Sequence, residues 1–573
     1  MELRMNMSIS KWSACFGPCR TVVDRTVRKL MANRVPARLW EKDHTLWKSS
    51  PSEITNRLGW LESPQAMLGN LSRIKALVDA VRADGYTQAL LLGMGGSSLA
   101  PEVFRKTFGV ADGYLDLTVL DSTDPGAVLA ITKSLDLSKA LFIVSTKSGG
   151  TVETLSFMKY FFHRAVEQLG EKEAVRHFVA ITDPGSALAD LAAAHHFRAT
   201  FLNDPDIGGR YSALSYFGLV PAALLGVDVK MLLDRAIVAA GRERSLGHAD
   251  ADVLSGLYLG TVMGALARAG WDKLTFVFSP SLVSFGDWLE QLIAESTGKE
   301  GKGILPVVGE PLGLPDAYGD DRLFVYLSLE GEGRDEDRIK ILEEAGHPVA
   351  RIFLQDRYDL GGQIFLWEVA TAVAGHILEI NPFDQPDVEA AKILTRKMIA
   401  RYQEKRALPV EVPALTGDDI AVYGDIQAHS PGDALNVFLG AALPRGYVAL
   451  QAYLQPTTDT DKALLWLRTR LRDQLKLATT VGYGPRYLHS TGQLHKGDGN
   501  QGLFIQITAD DRQDAPIPDD MGPSGSLITF GTLKAAQALG DRQALLNTGR
   551  PILRFHLGRD IVGGLKILTE AIS

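Results

Sequence analysis

Two glycine- and hydroxyl-rich loops, each directly after a short apolar segment, constrain the fold of this 573-residue chain more than any other feature. Ala89–Leu92 leads into the loop Gly93–Ser98, and Leu141–Val144 leads into the loop Ser145–Thr151. The residues after each loop can open a helix. Apolar strands that alternate with helices are typical of a parallel, doubly wound sheet. Such a sheet would place both loops beyond the carboxyl ends of its strands, where ligands bind.

The same loops predict an anion site. Backbone N–H groups at a helix N-terminus, with hydroxyls around them, bind anions, and Lys147 adds a positive charge to the second loop. Neither loop has the glycine spacing of the nucleotide-binding motifs, so we expect a small phosphorylated metabolite rather than a nucleotide. The alternative is that the glycines serve only the turns between strand and helix.

Charge and composition argue against several classes of partner. The net charge of −8 is modest and no Lys/Arg tract stands out, so nucleic acid is not expected. No apolar run reaches the roughly 18 residues needed to span a bilayer, so no membrane is expected either. The two cysteines, Cys15 and Cys19, cannot supply a disulfide framework, and no His or further Cys lies near them to complete a metal site. Because the start of the chain lacks the apolar core of a signal peptide, we expect a cytoplasmic protein.

Hydrophobic patterning divides the chain into four segments. Residues 1–82 are predicted to be helical, 83–227 a first α/β unit, 228–402 a second α/β unit, and 403–573 a C-terminal α/β unit that begins with a linker over 403–419. The predicted strands are 88–92, 117–121, 140–145, 178–181 and 199–202 in the first unit, 274–278, 323–327 and 349–354 in the second, and 448–453, 503–507 and 552–557 in the C-terminal unit. The clearest predicted helices are 361–378, 459–477, 530–538 and 561–572.

Two charged residues outside the loops are candidates for chemistry. Glu295 lies where a predicted helix breaks into glycines and is followed by Lys299 and Lys302; a partly desolvated carboxylate there can act as a base. Arg210 follows two glycines, and its guanidinium fork suits an oxyanion. The alternatives are a surface glutamate, which this segment alone favours, and an arginine that caps a helix or pairs with Asp206.

Further candidates lie later in the chain. Gln385 is predicted at the mouth of the sheet, and Lys392 about two turns into the helix that Pro386 begins; such a lysine is usually a solvated surface charge. His489 and His495 are two of the twelve histidines and could move protons near neutral pH. Their spacing does not put them on one helix face, and no set of His, Cys and carboxylates has metal-ligand spacing, so no metal is expected.

Taken together, these segments resemble the phosphoglucose isomerase (glucose-6-phosphate isomerase) family. The resemblance covers roughly residues 85–400 and is carried, in the family's order, by Gly93–Ser98, Ser145–Glu153, Gly208–Ser212, Glu295–Lys299 and Asn381–Pro386. From residue 417 onward, with Leu488–Gln493, the chain looks most like the isomerase half of the bifunctional transaldolase/phosphoglucose isomerase proteins. Residues 1–82 are too few for a transaldolase barrel. The fold that the resemblance implies is α/β, with two sugar-isomerase (SIS-type) sandwich domains of doubly wound parallel sheets and the additional C-terminal α/β unit.

The resemblance implies a role for each matched residue. The sugar phosphate would be bound by residues of the two loops, namely Gly96, Ser97, Thr146, Lys147, Ser148 and Thr151. Two glutamines would line the substrate, namely Gln291 and Gln385. Four residues would be catalytic: the base Glu295 between C1 and C2, Arg210 at the enediolate, Lys392 near the ring oxygen, and His489 as the ring-opening group.

The chain departs from the family pattern at two positions. His489 follows Lys392, whereas the family's histidine precedes the lysine segment, so His495 is a competitor for the role. Gly150 stands where the family often has another threonine, so the second loop offers one hydroxyl fewer to a phosphate.

The activity that the resemblance implies is interconversion of glucose 6-phosphate and fructose 6-phosphate through ring opening and a cis-enediolate. This chemistry needs no metal and no redox cofactor, only an acid/base for the ring, a carboxylate base and a cation for the oxyanion. A homodimer is expected because in many family members a histidine reaches the site from a partner subunit. The alternatives are an isomerase of another sugar phosphate, such as mannose 6-phosphate, and a non-catalytic sugar-phosphate-binding regulator, which would not need Glu295, Arg210 and Lys392.

Overall fold

The computed structural model describes residues 11–245, 254–522 and 525–573. The strands in these residues are β1 (Lys11–Cys15), β2 (Gln88–Gly93), β3 (Asp116–Leu120), β4 (Ala140–Ser145), β5 (Phe178–Thr182), β6 (Ala199–Leu202), β7 (Lys273–Phe278), β8 (Leu305–Val307), β9 (Arg322–Leu329), β10 (Val349–Leu354), β11 (Leu415–Gly417), β12 (Ile420–Tyr423), β13 (Tyr447–Tyr453), β14 (Ala478–Tyr483), β15 (Gly502–Thr508), β16 (Pro516–Ile517), β17 (Ile528–Thr529) and β18 (Ile552–His556).

The α-helices connect and cover these strands. They are α1 (Arg20–Ala32), α2 (Val35–Trp40), α3 (Ser63–Leu68), α4 (Leu71–Ala83), α5 (Leu99–Phe108), α6 (Pro125–Ser134), α7 (Val152–Leu169), α8 (Glu171–Ala174), α9 (Ala187–Ala194), α10 (Tyr216–Leu224), α11 (Val229–Ser245), α12 (Gly256–Arg268), α13 (Phe285–Thr297), α14 (Glu336–Glu344), α15 (Asp359–Leu378), α16 (Val388–Lys405), α17 (Pro431–Leu439), α18 (Thr458–Leu475), α19 (Gly492–Gly497), α20 (Phe530–Asn547) and α21 (Ile561–Ala571).

The first sheet is fully parallel, with strand order β3-β2-β4-β5-β6. The chain leaves β2 to form β3 on one side and returns to form β4 on the other, which makes the gap beyond β2 and β4 a topological switch point. Gly93 and Ser145 are opposite each other in the register, so both loops begin at that gap. The predicted parallel α/β arrangement and the predicted strands of this unit are confirmed.

The second sheet has the order β1-β10-β9-β7-β8, and β1 is antiparallel to its neighbour. The prediction that residues 1–82 are helical is therefore wrong for Lys11–Cys15, although α1 to α4 follow it. The pairing partner of β1 is β10, more than 330 residues later, and local periodicity cannot report a partner at that distance. The residues Met1–Met7 lie outside the described part of the chain.

A helical layer joins the first two units. The helix predicted at 361–378 is α15, which is almost wholly buried against α11 and α12. A Cβ atom on Gly260 of α12 would lie 2.3 Å from the carbonyl oxygen of Ala370, so only glycine permits this close helix contact. Trp47 and Trp60 of the N-terminal segment are also buried in this core.

The third sheet, in the C-terminal unit, has the order β11-β12-β18-β15-β13-β14. Strands β14, β13, β15 and β18 are parallel, and β11 and β12 add an antiparallel edge. The linker predicted at 403–419 is shorter in the structure, because α16 continues to Lys405 and β11 begins at Leu415. Residues 406–414 between them have no helix or strand.

Candidate active site

The first loop is packed tightly against two other parts of the candidate site. Gly95 has a φ of +55°, and a Cβ atom there would lie 3.0 Å from the Cβ atom of His489 and 2.9 Å from Nε2 of Gln291. A Cβ atom on Gly96 would lie 2.0 Å from the carbonyl oxygen of Gly209. The glycines of this loop therefore let Gln291, His489 and the turn before Arg210 meet at the end of β2. Ser97 is buried in the same turn.

The second loop leaves an open helix N-terminus. Thr151 precedes α7 without capping it through its side chain, so the first N–H groups of this helix are available to an anion. The hydroxyls of Thr146 and Thr151 are 2.9 Å apart, and the Ser148 hydroxyl accepts a hydrogen bond of 3.3 Å from the backbone N–H of Gly150.

Lys147 does not line the cavity next to this loop. Its ammonium group binds the carboxylate of Asp183 and donates a hydrogen bond of 2.9 Å to the carbonyl oxygen of Pro205. Its charge therefore reaches the cavity only from behind the loop.

A cavity of about 230 Å³ separates the second loop from α16 and from the segment that holds His489. Four of the predicted site residues line it, namely Ser148, Thr151, Lys392 and His489. Lys392 is 46% exposed and lies 3.8 Å from Glu389, which leaves its ammonium group free to turn toward a ligand. The predicted residues Gln291, Glu295, Arg210 and Gln385 do not line it; they contact one another, and Gln291 lies against the first loop.

Glu295 and Arg210 form an ion pair at the end of α13. Nη1 of Arg210 lies 3.3 Å from Oε1 of Glu295, whose other oxygen accepts a hydrogen bond of 3.0 Å from Gln291. The carboxylate is 13% exposed. Gln291 in turn touches the first loop, so the acid, the cation and the loop form one contiguous set.

The guanidinium group of Arg210 is fixed from every side. Nε donates to the hydroxyl of Ser296 at 2.7 Å, Nη1 to Oε1 of Gln385 at 3.0 Å, and Nη2 to the carbonyl oxygens of Pro382 and Asp384 at 2.7 and 2.9 Å. Only 3% of the Arg210 side chain is exposed. This rigid fork next to a carboxylate is suited to stabilise an oxyanion that develops beside it.

His489 is held by a buried carboxylate that the sequence motifs contain but do not single out. Its Nε2 lies 3.1 Å from Oε1 of Glu153 at the start of α7, and Gln537 of α20 donates a hydrogen bond of 2.7 Å to the same oxygen. Burial raises the pKa of Glu153, but the charge of His489 and its hydrogen bond outweigh burial and hold that pKa below its usual value. An ionised Glu153 fixes the orientation of the imidazole.

His495 lies elsewhere. It is buried between Tyr447 and Phe504, and its Nδ1 is 3.4 Å from Nε2 of Gln451. Burial puts the pKa of His495 well below its usual value. Of the two candidate histidines, only His489 lines the cavity.

Sequence reasoning missed several residues around the site. Glu153, Gln537 and Ser296 each bind a predicted site residue or its partner. Lys299 is buried beside Arg210, and burial together with repulsion from Arg210 lowers its pKa to about 8. Glu153 lies two residues after the second loop, but nothing in the sequence links it to His489, and Gln537 gives no signal because it comes from a different unit.

The described residues contain no group of three or more His, Cys, Asp or Glu side chains that could hold a metal ion. Cys15 and Cys19 are both free thiols. No helix within the described ranges is long and apolar enough to cross a membrane.

Comparisons with known proteins point to one family. The family model described as phosphoglucose isomerase matches residues 65–303, which include both loops, Arg210 and Glu295 and end before His489. A glucose-6-phosphate isomerase of Rubrobacter xylanophilus is 30% identical over 371 residues, covering 57% of this chain and 85% of that protein. The corresponding protein of Pediococcus pentosaceus is 29% identical over 410 residues, covering 61% and 89%.

Solved structures agree on the fold. A hypothetical protein from Thermus thermophilus superposes with a TM-score of 0.59 and 26% identity, over 68% of this chain and all of that one. A glucose-6-phosphate isomerase from Chlamydia trachomatis superposes with a TM-score of 0.50 and 18% identity, over 64% and 78%. From the sequence relatives, this chain belongs to the phosphoglucose isomerase family.

Proposed function

We propose that this protein interconverts glucose 6-phosphate and fructose 6-phosphate, the activity for which its sequence relatives are named. The observation that carries the proposal is the contact of the Glu295 carboxylate with the fixed guanidinium group of Arg210, next to a loop that also touches His489. A carboxylate base, a cation for an oxyanion and a separate acid/base group are the parts that aldose–ketose isomerisation requires. The cytoplasm as its location stays a prediction.

Phosphate binding is assigned to the two loops. The hydroxyls of Ser148 and Thr151 line the cavity at the N-terminus of α7, where backbone N–H groups and the helix dipole favour an anion. Gly96, Ser97 and Thr146 stay proposed contacts from the adjacent turns, and Lys147, whose ammonium group is bound to Asp183, is proposed to contribute its charge from behind the loop. A phosphate bound there would hold the far end of the sugar and orient its C1 and C2 atoms.

Ring opening is assigned to His489. Because its Nε2 is bound to Glu153, Nδ1 is left to exchange a proton with the ring oxygen or the anomeric hydroxyl. The anomeric O–H proton leaves, the ring C–O bond breaks, and the ring oxygen takes up a proton, so the sugar becomes an open-chain aldehyde with no net change in protons. Lys392 is proposed to support the developing charge on the ring oxygen.

Isomerisation is assigned to Glu295 and Arg210. Glu295 removes the proton from C2, and the electron pair forms the double bond of a cis-enediolate whose negative oxygen lies against Arg210. The proton on O2 moves to O1, and Glu295 returns its proton to C1, which gives the ketose. Gln291 and Gln385 keep the carboxylate and the guanidinium group in place.

The proposal is tested by the turnover of fructose 6-phosphate in the presence of EDTA, for the wild type and for Glu295→Gln. The amide cannot take a proton from carbon, so we expect turnover by the wild type and a loss on the order of 10²–10⁴-fold in the variant. Glu300→Gln, at an exposed glutamate that pairs with Lys48, is the matched control and should keep wild-type turnover.

Other outcomes would contradict specific parts of the proposal. Full activity of Glu295→Gln would mean that another group is the base. Faster turnover of mannose 6-phosphate than of glucose 6-phosphate would change the substrate. Binding of fructose 6-phosphate without turnover by the wild type would favour a regulator.

A further inference from the structure

The second loop brings hydroxyls and backbone N–H groups to the cavity in front of it, but its lysine is engaged elsewhere. Ser148 and Thr151 line the cavity, whereas Lys147 is bound to groups behind the loop. Gly150 adds no hydroxyl, and a Cβ atom there would meet no atom within 4 Å. A phosphate ester carries close to two negative charges at neutral pH. A cation from another element is therefore needed to match that charge.

The opposite wall of the cavity is formed by α16, which brings two positive side chains to it, Lys392 and Arg396. The two residues are one helical turn apart, so they are separated by about 6 Å along the helix axis. Their side chains are 46% and 65% exposed. Both can therefore turn toward a ligand without disturbing the buried face of the helix.

The course of α16 fixes the order of these two cations. The helix begins beside the segment that holds the ring-opening histidine, because Gln493 of that segment accepts a hydrogen bond of 3.3 Å from the backbone N–H of Val388. In a later turn, Ile399 packs against the apolar cluster to which α7 contributes. Arg396 thus lies beyond Lys392, farther from the histidine and closer to α7.

Arg396 is paired with a carboxylate of its own helix. Nη2 of Arg396 lies 2.5 Å from Oε1 of Glu389, and Nζ of Lys392 lies 3.8 Å from Oε2. The Glu389 side chain is 51% exposed, and exposed ion pairs add little to stability. A phosphate at the N-terminus of α7 carries more charge than this carboxylate and suits the two parallel N–H donors of a guanidinium group. It can therefore replace Glu389 as the partner of Arg396.

We propose that Arg396 binds the phosphate group of the substrate from the side opposite the second loop, in competition with Glu389. This inference rests on the proposed function, which assigns the phosphate to this cavity and Lys392 to the ring oxygen. In a hexose 6-phosphate only C5, C6 and O6 separate the ring oxygen from the phosphorus atom. Two cations one helical turn apart therefore fit two neighbouring parts of one substrate. The alternative is that Arg396 forms only a surface ion pair.

Binding of inorganic phosphate to the full chain, measured by isothermal titration calorimetry, tests the contact without catalysis. Arg396→Ala should weaken binding about tenfold, because a charge-assisted contact is lost. Arg396→Lys keeps the charge but not the fork and should lose less. Glu389→Gln removes the competing carboxylate and should strengthen binding by about two- to fivefold. A mere surface ion pair predicts no change in any of these variants.

The matched control is Lys397→Ala, at an exposed cation of the same helix that does not line the cavity. It should bind phosphate like the wild type, and circular dichroism shows whether each variant is folded. Unchanged phosphate affinity of Arg396→Ala, or an equal loss in Lys397→Ala, would overturn the inference. Weaker binding by Glu389→Gln would overturn the competition.

The kinetics with fructose 6-phosphate show whether the same contact serves the substrate. Because the phosphate is remote from the bonds that change, Arg396→Ala should raise KM about tenfold and leave kcat within about twofold. A fall in kcat at constant KM would overturn the inference.

The proposed function and this inference can fail separately. A wild type that binds phosphate through Arg396 but does not turn over fructose 6-phosphate would overturn the isomerase activity and support the phosphate contact. Turnover combined with a phosphate affinity that is independent of Arg396 would overturn this inference alone. A wild type that binds neither compound would overturn both.

Discussion

At the scale of a residue, Glu243 illustrates how burial raises the pKa of a carboxylate. Its carboxylate accepts hydrogen bonds of 2.6 and 3.3 Å from the backbone N–H groups of Gly256 and Leu257, at the start of α12. Burial nevertheless raises its pKa to about 7, from 4.5. Between these two values the folded state holds a proton that the unfolded state has released.

The consequence is a measurable pH dependence. Because the pKa of Glu243 is raised by folding, its contribution to the free energy of unfolding falls as pH rises from about 4.5 to 7, by up to about 1.4 kcal/mol per pH unit. Glu243→Gln has no ionisable group at this position, so its free energy of unfolding should fall less than that of the wild type over the same pH range. Urea unfolding at several pH values measures the free energy of unfolding of both proteins. The same pH dependence for the two proteins would contradict the assignment.

The site residues show what a sequence can and cannot give at this scale. Both loops and the candidates Arg210 and Glu295 follow from local patterns together with the resemblance, and the structure brings the latter two to 3.3 Å. Glu153 belongs to a motif that gives it no role, because only the structure reveals that His489 lies opposite it. Choosing between His489 and His495 likewise needed the three-dimensional contacts.

At the scale of elements, the contact between α12 and α15 depends on glycine. A side chain on Gly260 would meet the backbone of Ala370 at 2.3 Å, and most residues of both helices are buried. Gly241 on the exposed side of α11 has no atom within 4 Å of the position of a Cβ atom. The two glycines therefore differ only in their surroundings.

Alanine substitution at each glycine tests this difference. Gly260→Ala should lower the free energy of unfolding by about 1–3 kcal/mol through overpacking. Gly241→Ala, its matched control, should raise it by up to about 1 kcal/mol, since alanine favours a helix. Denaturant unfolding measures the free energy of unfolding of both variants. Equal changes in the two variants would show that α12 and α15 can separate without cost.

Prediction from sequence succeeds or fails by element for a physical reason. The central strands β2 and β4 contain the apolar runs Ala89–Leu92 and Ala140–Val144, which signal burial on both faces, and β13 is apolar except for Gln451. Strand β14 has the sequence Ala478–Tyr483, with two threonines and a glycine, and gives no such signal. Strand β1 depends on a distant partner. Runs that carry their own burial pattern are predictable, and those that depend on a neighbour are not.

At the scale of the whole molecule, buried charges join the C-terminal unit to the rest. Arg322 and Thr479 both bind Glu310, and Arg468 donates to the carbonyl oxygens of Val308 and Thr479 at 2.7 and 2.6 Å. These groups lie at the contact of the second and third sheets. Separating the sheets would leave buried charges without partners, which is costly.

This attachment predicts the behaviour of a cut chain. A specific protease site inserted between Ala407 and Pro413 should be cleaved readily, because that connection has no helix or strand. The two fragments should still elute together on gel filtration and keep most of the turnover. The same insertion without protease is the control. Separation of the fragments would show that the covalent connection, and not the buried contacts, holds the units together.

His489 and Glu295, to which ring opening and isomerisation are assigned in the proposal, lie on different units of the molecule, and this assignment has a consequence for the kinetics. A tilt of the C-terminal unit by about an ångström would disturb ring opening and leave the proton transfer between C1 and C2 intact. Anomer conversion and isomerisation are thus mechanically separable in this fold. Under the proposed assignment, a sugar phosphate that is already acyclic would bypass His489 and report only on the step assigned to Glu295.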